Sequence, residues 1–175
     1  MIARAYRRQL GRLMGRLVFR KLLGQRLRCA AWRALGARIE ENVKIGARVW
    51  IRWPGNVSIG SGTKLGGRIW LDAGGGIEIG RNALITDECS VLSVEHDLDS
   101  PRFQMERSKV RIGDYTWLPY RVIVMPGTTI GDYAVVGSGS VVTGEVAPYA
   151  VVAGNPAREI RKRADVPYHY VPSTM

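Results

Sequence analysis

Aliphatic residues recur at every sixth position along most of the chain. From residue 112 onward the series is Ile112, Leu118, Val124, Ile130, Val136 and Val142. A period of six fits neither the repeat of about 3.6 residues in a helix nor the alternation of a simple strand. It is typical of a solenoid in which each short strand buries one aliphatic side chain and then turns a corner. The pattern therefore predicts an all-β solenoid.

The earlier part of the chain has the same spacing in groups of three, and the groups lie eight positions apart. The groups are Ile39, Ile45, Ile51; Ile59, Leu65, Leu71; and Ile79, Ile85, Val91. The repeating unit is thus a three-sided coil of about 18 residues with two extra residues at one corner.

Insertions fall at that same corner in successive coils. Turn-forming residues occupy 53–55 and 74–76, and the one long loop, residues 93–109, replaces the corner between Val91 and Ile112. A further insertion is predicted at 144–149, before Val152. Insertions that gather on one edge of a solenoid usually mark its functional edge.

The repeat resembles the hexapeptide-repeat acyltransferases over residues 36–163. The resemblance is carried by segments 112–117, 126–131, 137–143 and 152–158, and segment 95–101 resembles the polysaccharide O-acetyltransferase branch, which includes proteins assigned to colanic acid biosynthesis. It implies a left-handed parallel β-helix, and the handedness comes from the resemblance alone, because parallel crossovers are otherwise right-handed. We predict a basic helical extension at 1–35, the β-helix domain at 36–163 and a short C-terminal tail at 164–175.

The chain contains two histidines, His96 and His169. The resemblance implies that His96, in the long loop, is the general base of a direct acetyl transfer to a hydroxyl. Neutral imidazole, with an ordinary pKa of about 6.5, can accept the proton of the attacking hydroxyl. We predict that His169, which lies between two tyrosines, is structural.

A catalytic histidine needs an acceptor on its other ring nitrogen to fix its tautomer. Asp97, Asp87 and Glu95 are the candidates, and the sequence does not choose among them. Neighbouring residues of an extended segment point to opposite sides, which disfavours Glu95 and Asp97 as direct partners of His96.

The resemblance implies that acetyl-CoA is the donor and lies in a groove between subunits of a homotrimer. The positions that match the family's contacts are Trp117, Ser138, Gly139 and Thr143 along the pantetheine arm, and Gly154, Pro156, Arg158 and Arg161 toward the nucleotide. Pro119 departs from the glycine of many relatives and has no backbone N–H to donate. Arg158 and Arg161 begin a basic cluster, with Lys162 and Arg163, that suits phosphates.

The net charge of +11 is concentrated at one end of the chain. Residues 1–38 contain 11 of the 26 basic residues and no carboxylate, which leaves 15 basic and 15 acidic residues in 39–175. A basic nucleic-acid-binding body is therefore disfavoured. Residues 2–20 form an amphipathic helical pattern, and a second helical piece is predicted over 25–35, ending near Gly36.

Three interpretations of this basic extension stay open. It binds an anionic membrane surface, or covers the open first coil, or binds nucleic acid, and we favour them in that order. The chain has no apolar run of the roughly 18 residues that span a bilayer and no signal-peptide pattern. We expect a cytoplasmic enzyme, peripheral at the inner face of the cytoplasmic membrane.

The expected acceptor is a sugar hydroxyl in a surface polysaccharide or lipid-linked oligosaccharide. Two alternatives are N-acetylation of an amino nucleotide sugar and a non-catalytic, membrane-associated scaffold. A carbonic anhydrase with the same fold needs three zinc-binding histidines, and this chain has two. No metal is expected, and Cys29 and Cys89 are predicted to serve packing.

Overall fold

The computed structural model describes residues 24–175, which form a β-solenoid of about six turns with three sheets as faces, parallel except for the antiparallel last strand of face B. Face A contains β1 (Arg38–Ile39), β4 (Val57–Ile59), β7 (Ile77–Ile79), β12 (Val110–Ile112), β15 (Thr129–Ile130) and β18 (Glu145–Val146). Face B contains β2 (Lys44–Ile45), β5 (Lys64–Leu65), β8 (Leu84–Ile85), β13 (Trp117–Leu118), β16 (Val135–Val136), β19 (Ala150–Gly154) and β20 (Ala157–Lys162). Face C contains β3 (Trp50–Arg52), β6 (Trp70–Asp72), β9 (Ser90–Leu92), β14 (Ile123–Val124) and β17 (Val141–Val142). The predicted parallel β-helix is confirmed.

The aliphatic residues of the six-residue period fill the interior. Each pairs in register with its equivalent one coil away, as Ile79 does with Ile112 and Ile112 with Ile130. Most are completely buried, among them Ile45, Leu71, Ile85, Val91 and Leu118. Burying one such side chain stabilises the fold by about 1.5–3 kcal/mol, so the column supplies most of the favourable free energy.

The corners between faces A and B explain the Ile-Gly-Asp pattern of the sequence. The Asp132 carboxylate accepts a hydrogen bond of 2.8 Å from the Asp114 N–H, and the Asp114 carboxylate accepts one of 2.7 Å from the Arg81 N–H. A Cβ on Gly113 would lie 2.7 Å from the Asp132 nitrogen. Glycine at this position therefore lets successive coils approach closely enough for these bonds.

The corner between faces C and A, the CA corner, carries the predicted insertions. A 3-10 turn over Pro54–Asn56 and the glycines at 74–76 fill it in the first two coils, and residues 93–109 leave from it in the third. The insertion predicted at 144–149 is wrong. Val146 pairs with Ile130 and Val152 with Val136, so the period resumes only four residues after Val142 and the corner is shortened.

The helix α1 (Gln25–Ala34) closes the N-terminal end of the solenoid. Cys29 and Trp32 are buried against the first coil, and Arg28 Nε donates a 2.7 Å hydrogen bond to the Ile45 carbonyl. The helix ends before Gly36, whose φ is 103°. Packing over the first coil, one of the three interpretations of the basic extension, is therefore confirmed for α1. The helix predicted over 2–20 lies outside the described residues.

The C-terminal tail runs back along the edge between faces A and B. Tyr115, Tyr133 and Tyr149 stack on one another at this edge, with ring centroids 5.2 and 4.6 Å apart. The Arg163 guanidinium donates to the Tyr115 and Tyr133 carbonyls and lies 3.7 Å from the Tyr168 ring. Further on, the Ser173 N–H donates to the Gly62 carbonyl, so the tail links the last coil to the second.

Within residues 24–175 no helix has the length and apolar character needed to cross a bilayer.

Candidate active site

The long loop folds into a two-stranded antiparallel hairpin on the CA corner. Strand β10 (Val94–His96) pairs with β11 (Met105–Arg107), and the Ser108 N–H closes the base by donating to the Ser93 carbonyl at 3.0 Å. The Gly127 N–H of the next coil donates to the Ser108 carbonyl at 3.2 Å. The hairpin is thus anchored on both sides and presents its tip to solvent.

His96 lies exposed on this hairpin and is held by one residue, Phe103. The His96 Nδ1 lies 2.8 Å from the Phe103 carbonyl oxygen, and the two rings stack with centroids 4.4 Å apart and planes 3° from parallel. A carbonyl oxygen can only accept, so in the neutral imidazole Nδ1 carries the proton and Nε2 keeps its lone pair. Among the described residues no hydrogen bond occupies Nε2, and the His96 side chain is exposed.

None of the three candidate carboxylates is hydrogen-bonded to His96 among the described residues. Asp97 Oδ1 accepts from the N–H groups of Asp99 and Ser100, which shapes the hairpin tip. Asp87 Oδ1 accepts from the Gly67 N–H at a different corner. Glu95 lies opposite Glu106 in the ladder, one position from His96 and so on the other side of the strand. The acceptor on the imidazole is a main-chain carbonyl, which no sequence motif marks.

Replacing Phe103 with alanine tests this positioning role. We expect kcat to fall about tenfold because the ring that fixes the imidazole plane is lost, while KM for acetyl-CoA stays within about twofold. Phe103→Tyr keeps the stacked ring and should retain wild-type kcat. Steady-state kinetics with saturating acceptor make the comparison, and equal kcat values for Phe103→Ala and wild type would contradict the role.

The residues assigned to the donor divide between two edges of face C. Thr143 follows β17 at the CA corner, the corner that carries the His96 hairpin, whereas Ser138 and Gly139 precede β17 at the opposite, BC corner. All three are exposed. Gly139 has a φ of 71°, and a Cβ added there would meet nothing within 4 Å. The BC edge therefore offers open space beside its backbone.

The same BC edge carries a charged cluster centred on Glu88, two coils before Gly139. Its carboxylate accepts from Arg121 Nε and from the Tyr120 hydroxyl, both at 2.8 Å, and forms an ion pair of 2.6 Å with Arg68. The hydrogen bond from Arg121, more than any other contact, holds the pKa of Glu88 below its ordinary value. Glu88 thus stays ionised between two cations on the same edge as Gly139, two coils away.

The remaining residues predicted to contact the donor lie on face B and its last hairpin. Trp117 is 42% exposed on β13, and Gly154 and Pro156 form the exposed turn between β19 and β20. Arg158 and Arg161 are exposed on β20, where each guanidinium donates to a nearby main-chain carbonyl.

Other members of the predicted basic cluster are already paired. Lys162 forms an ion pair with Glu159, and Arg163 belongs to the tyrosine cluster of the tail. Arg158 and Arg161 therefore carry the positive charge available beside the β19–β20 turn.

Neither Pro119 nor the cysteines disturb this arrangement. Leu118 keeps its inward position, fully buried, and the Cys89 thiol lies 2.9 Å from the Pro119 carbonyl. Burial raises the pKa of Cys89 to about 11, and burial also raises the pKa of Cys29. Both thiols are buried packing groups, as predicted. His169 is exposed on the tail, and residues 24–175 contain no cluster of three potential metal ligands.

Comparison with known proteins identifies the family. The bacterial transferase hexapeptide (six repeats) matches residues 109–144, and the hexapeptide repeat of succinyl-transferase matches residues 36–74. The chain is 35% identical over 140 residues to WcaF of Escherichia coli K12, named as an acetyltransferase of colanic acid biosynthesis, covering 80% of this chain and 77% of that protein. The chain belongs to the hexapeptide-repeat acetyltransferases. The family and enzyme class predicted from the sequence are confirmed.

Other similarities are local or structural. Over 54 residues the chain is 54% identical to a chloramphenicol acetyltransferase of Agrobacterium fabrum, covering 31% of this chain and 26% of that protein. The fold of the present chain superposes on that of a maltose O-acetyltransferase of Clostridium difficile 630 with a TM-score of 0.82 and 27% sequence identity. The superposition covers 92% of this chain and 88% of that one. A Vibrio cholerae hexapeptide-repeat acetyltransferase, solved with acetyl coenzyme A, superposes with a TM-score of 0.81 and 28% sequence identity. That superposition covers 93% of this chain and 89% of the other.

Proposed function

We propose that this protein transfers the acetyl group of acetyl-CoA to a hydroxyl of a sugar, with His96 as general base. The observation that carries the proposal is the hydrogen bond from Nδ1 of the exposed His96 to the Phe103 carbonyl, which leaves Nε2 as the free acceptor of the neutral ring. Nε2 takes the proton of the sugar hydroxyl as its oxygen attacks the thioester carbonyl. The new C–O bond replaces the C–S bond, and coenzyme A leaves as the thiol after the proton passes to it.

The proposed sugar acceptor is supported by the acceptors named for relatives. The superposed Clostridium difficile enzyme is a maltose O-acetyltransferase, and a relative in Escherichia coli, 31% identical over 138 residues, is a galactoside O-acetyltransferase. Release of coenzyme A with maltose, a methyl galactoside and an amino nucleotide sugar tests the proposal. Turnover confined to the amino sugar would instead indicate an N-acetyltransferase.

The proposed donor contacts follow the open BC edge toward the β19–β20 hairpin. The space beside Gly139 fits an extended pantetheine arm, and Arg158 and Arg161 fit phosphates, since their guanidinium groups have no carboxylate partner among residues 24–175. The Vibrio cholerae structure shows a protein of this fold holding acetyl-CoA.

Arg158→Gln should raise KM for acetyl-CoA about tenfold, because a charge-assisted hydrogen bond to a phosphate is lost. The variant should also lose most of the wild-type preference for acetyl-CoA over its 3′-dephospho analogue if Arg158 binds the 3′-phosphate. Arg38→Gln, which removes an exposed arginine from the first coil, is the matched control. An unchanged KM in Arg158→Gln would count against this contact.

We further propose that the active enzyme is a homotrimer with its sites between subunits. In one protomer the His96 hairpin and the Ser138–Gly139 stretch lie on opposite edges of face C, and the hairpin exposes Leu98, Phe103 and Met105 by 83%, 56% and 47%. A neighbouring subunit would cover these side chains and bring its BC edge to His96. Activity regained on mixing His96→Asn and Ser138→Trp subunits supports this, and no recovery in confirmed mixed trimers contradicts it.

A peripheral position on the inner face of the cytoplasmic membrane is the remaining proposal. Residues 1–35 carry ten of the basic residues and no carboxylate, and each cation near an anionic surface contributes about 1 kcal/mol. Co-sedimentation with anionic liposomes should be lost when residues 1–23 are removed and α1 is kept. Equal sedimentation of both forms would contradict this role.

A further inference from the structure

A cavity of about 460 Å³ lies at the N-terminal end of the solenoid. Its walls come from α1, from the corner before β2, and from the 3-10 turn Pro172–Thr174 of the tail. The His96 hairpin leaves the solenoid two coils away and at a different corner. The volume falls in the range of small-molecule sites, and the cavity belongs to no part of the proposed acetyl-transfer site.

The cavity is lined by three cations, Arg26, Arg33 and Lys44, and by no carboxylate of the described residues. None of the three forms an ion pair within residues 24–175. Arg33 uses Nε and Nη2 to donate to the Ile39 and Glu40 carbonyls, which fixes its position without neutralising its charge. Like charges around a concave surface create a potential that attracts anions.

The orientation of α1 adds to this potential. The helix begins at Gln25 without a side-chain cap, and its first turn contains no acidic residue but does contain Arg26. The first N–H groups of a helix lack intrahelical partners and carry partial positive charge. A cation at this end opposes the helix dipole, whereas an anion would complement the N–H groups and Arg26 together.

Ser173 gives an independent indication that a ligand binds in this cavity. It lines the cavity, is 3% exposed, and its hydroxyl has no hydrogen-bond partner among residues 24–175. A buried hydroxyl without a partner is unfavourable, and such groups in native proteins usually have one. An acceptor oxygen supplied by a ligand would satisfy it.

We propose that this cavity binds a phosphate group. Phosphate oxygens accept charge-assisted hydrogen bonds from arginine and lysine and can also accept the Ser173 proton, so one group satisfies all the observations. The group is either a soluble phosphate or the headgroup of a phospholipid. The lipid source is suggested by the sequence before α1, where residues 4–21 hold seven basic residues and no carboxylate.

The test compares two double variants of the full chain with equal charge change. Arg26→Gln/Lys44→Gln removes two cations of the cavity, and Arg38→Gln/Arg48→Gln removes two exposed arginines outside it. Calorimetric titration with inorganic phosphate at constant ionic strength measures the soluble source. Flotation with phosphatidylcholine vesicles, with and without phosphatidic acid, measures the headgroup.

We expect the cavity variant to bind at least one of the two probes about tenfold more weakly than wild type, with the control within about twofold. Loss in the titration identifies soluble phosphate, and loss only with phosphatidic acid vesicles identifies the headgroup. Equal binding by both variants in both arms overturns the proposal. Unchanged acetyl-CoA affinity of the cavity variant shows that it is folded and that the two sites are separate.

Ser173→Ala provides a second test, in which the melting temperature is measured both without and with the phosphate probe. Without ligand its melting temperature should equal or exceed that of wild type, because an unpaired buried hydroxyl is removed. With whichever phosphate probe binds, its melting temperature should rise by less than that of wild type. An equal rise contradicts the proposed contact with Ser173.

Discussion

Replacing His96 with asparagine is expected to lower kcat for acetyl transfer by about 10²- to 10⁴-fold, the usual contribution of a general base. The asparagine amide can still donate to the Phe103 carbonyl, so the hairpin keeps its hydrogen bond while the Nε2 acceptor is lost. The affinity for acetyl-CoA should therefore change little. Initial rates of coenzyme A release and calorimetric binding of the donor measure the two effects separately.

The other histidine supplies the control for this variant. His169 is exposed on the C-terminal tail, and His169→Asn should retain wild-type kcat. Wild-type turnover in His96→Asn would exclude Nε2 as the base. A parallel loss in His169→Asn would show that the effect is not specific to the hairpin.

Gly113→Ala is expected to lower the free energy of unfolding by about 2–3 kcal/mol, as overpacked core substitutions do. The added Cβ would lie 2.7 Å from the Asp132 nitrogen and 2.8 Å from the Gly131 carbonyl carbon. Both are backbone atoms of the next coil, so the coils must separate and the bond from the Asp114 N–H to Asp132 must lengthen. Denaturant unfolding measures the difference.

Gly55→Ala is the matched control for this effect. Its added Cβ would meet nothing within 4 Å, and we expect a change within about 0.5 kcal/mol. If the two variants are equally stable, close approach of the coils at Gly113 does not contribute to stability.

The sequence predicts the solenoid well because the fold repeats one physical requirement. Each coil buries three aliphatic side chains, and Ile39, Ile45 and Ile51 already show the spacing that every later coil follows. The sequence wrongly predicts an insertion at the shortened corner before Val146, because Val142 and Val146 lie four residues apart, which breaks the period locally. Register there is decided by pairing with the coil beneath, which periodicity alone does not reveal.

In the candidate site, the position of the side chain could be predicted from the sequence, whereas its main-chain partner could not. The position of His96 on the insertion edge could be predicted, because the long loop leaves from the corner that carries the short insertions at 53–55 and 74–76. The hydrogen-bond partner of His96 could not be predicted, because it is the main-chain carbonyl of Phe103 and every residue type has such a carbonyl. For the tyrosine edge a signal existed, since Tyr115 and Tyr133 lie 18 residues apart, one full coil.

The most direct test of the central claim is the chemical identity of the acetylated product. Acceptors incubated with acetyl-CoA and the wild-type protein or His96→Asn are analysed by mass spectrometry before and after mild alkali, which cleaves esters and leaves amides intact. We predict an alkali-labile acetyl group on the sugar, formed by the wild-type protein and reduced at least about 100-fold with His96→Asn. An alkali-stable product, or an ester formed equally fast by both proteins, would contradict a histidine-dependent sugar O-acetyltransferase.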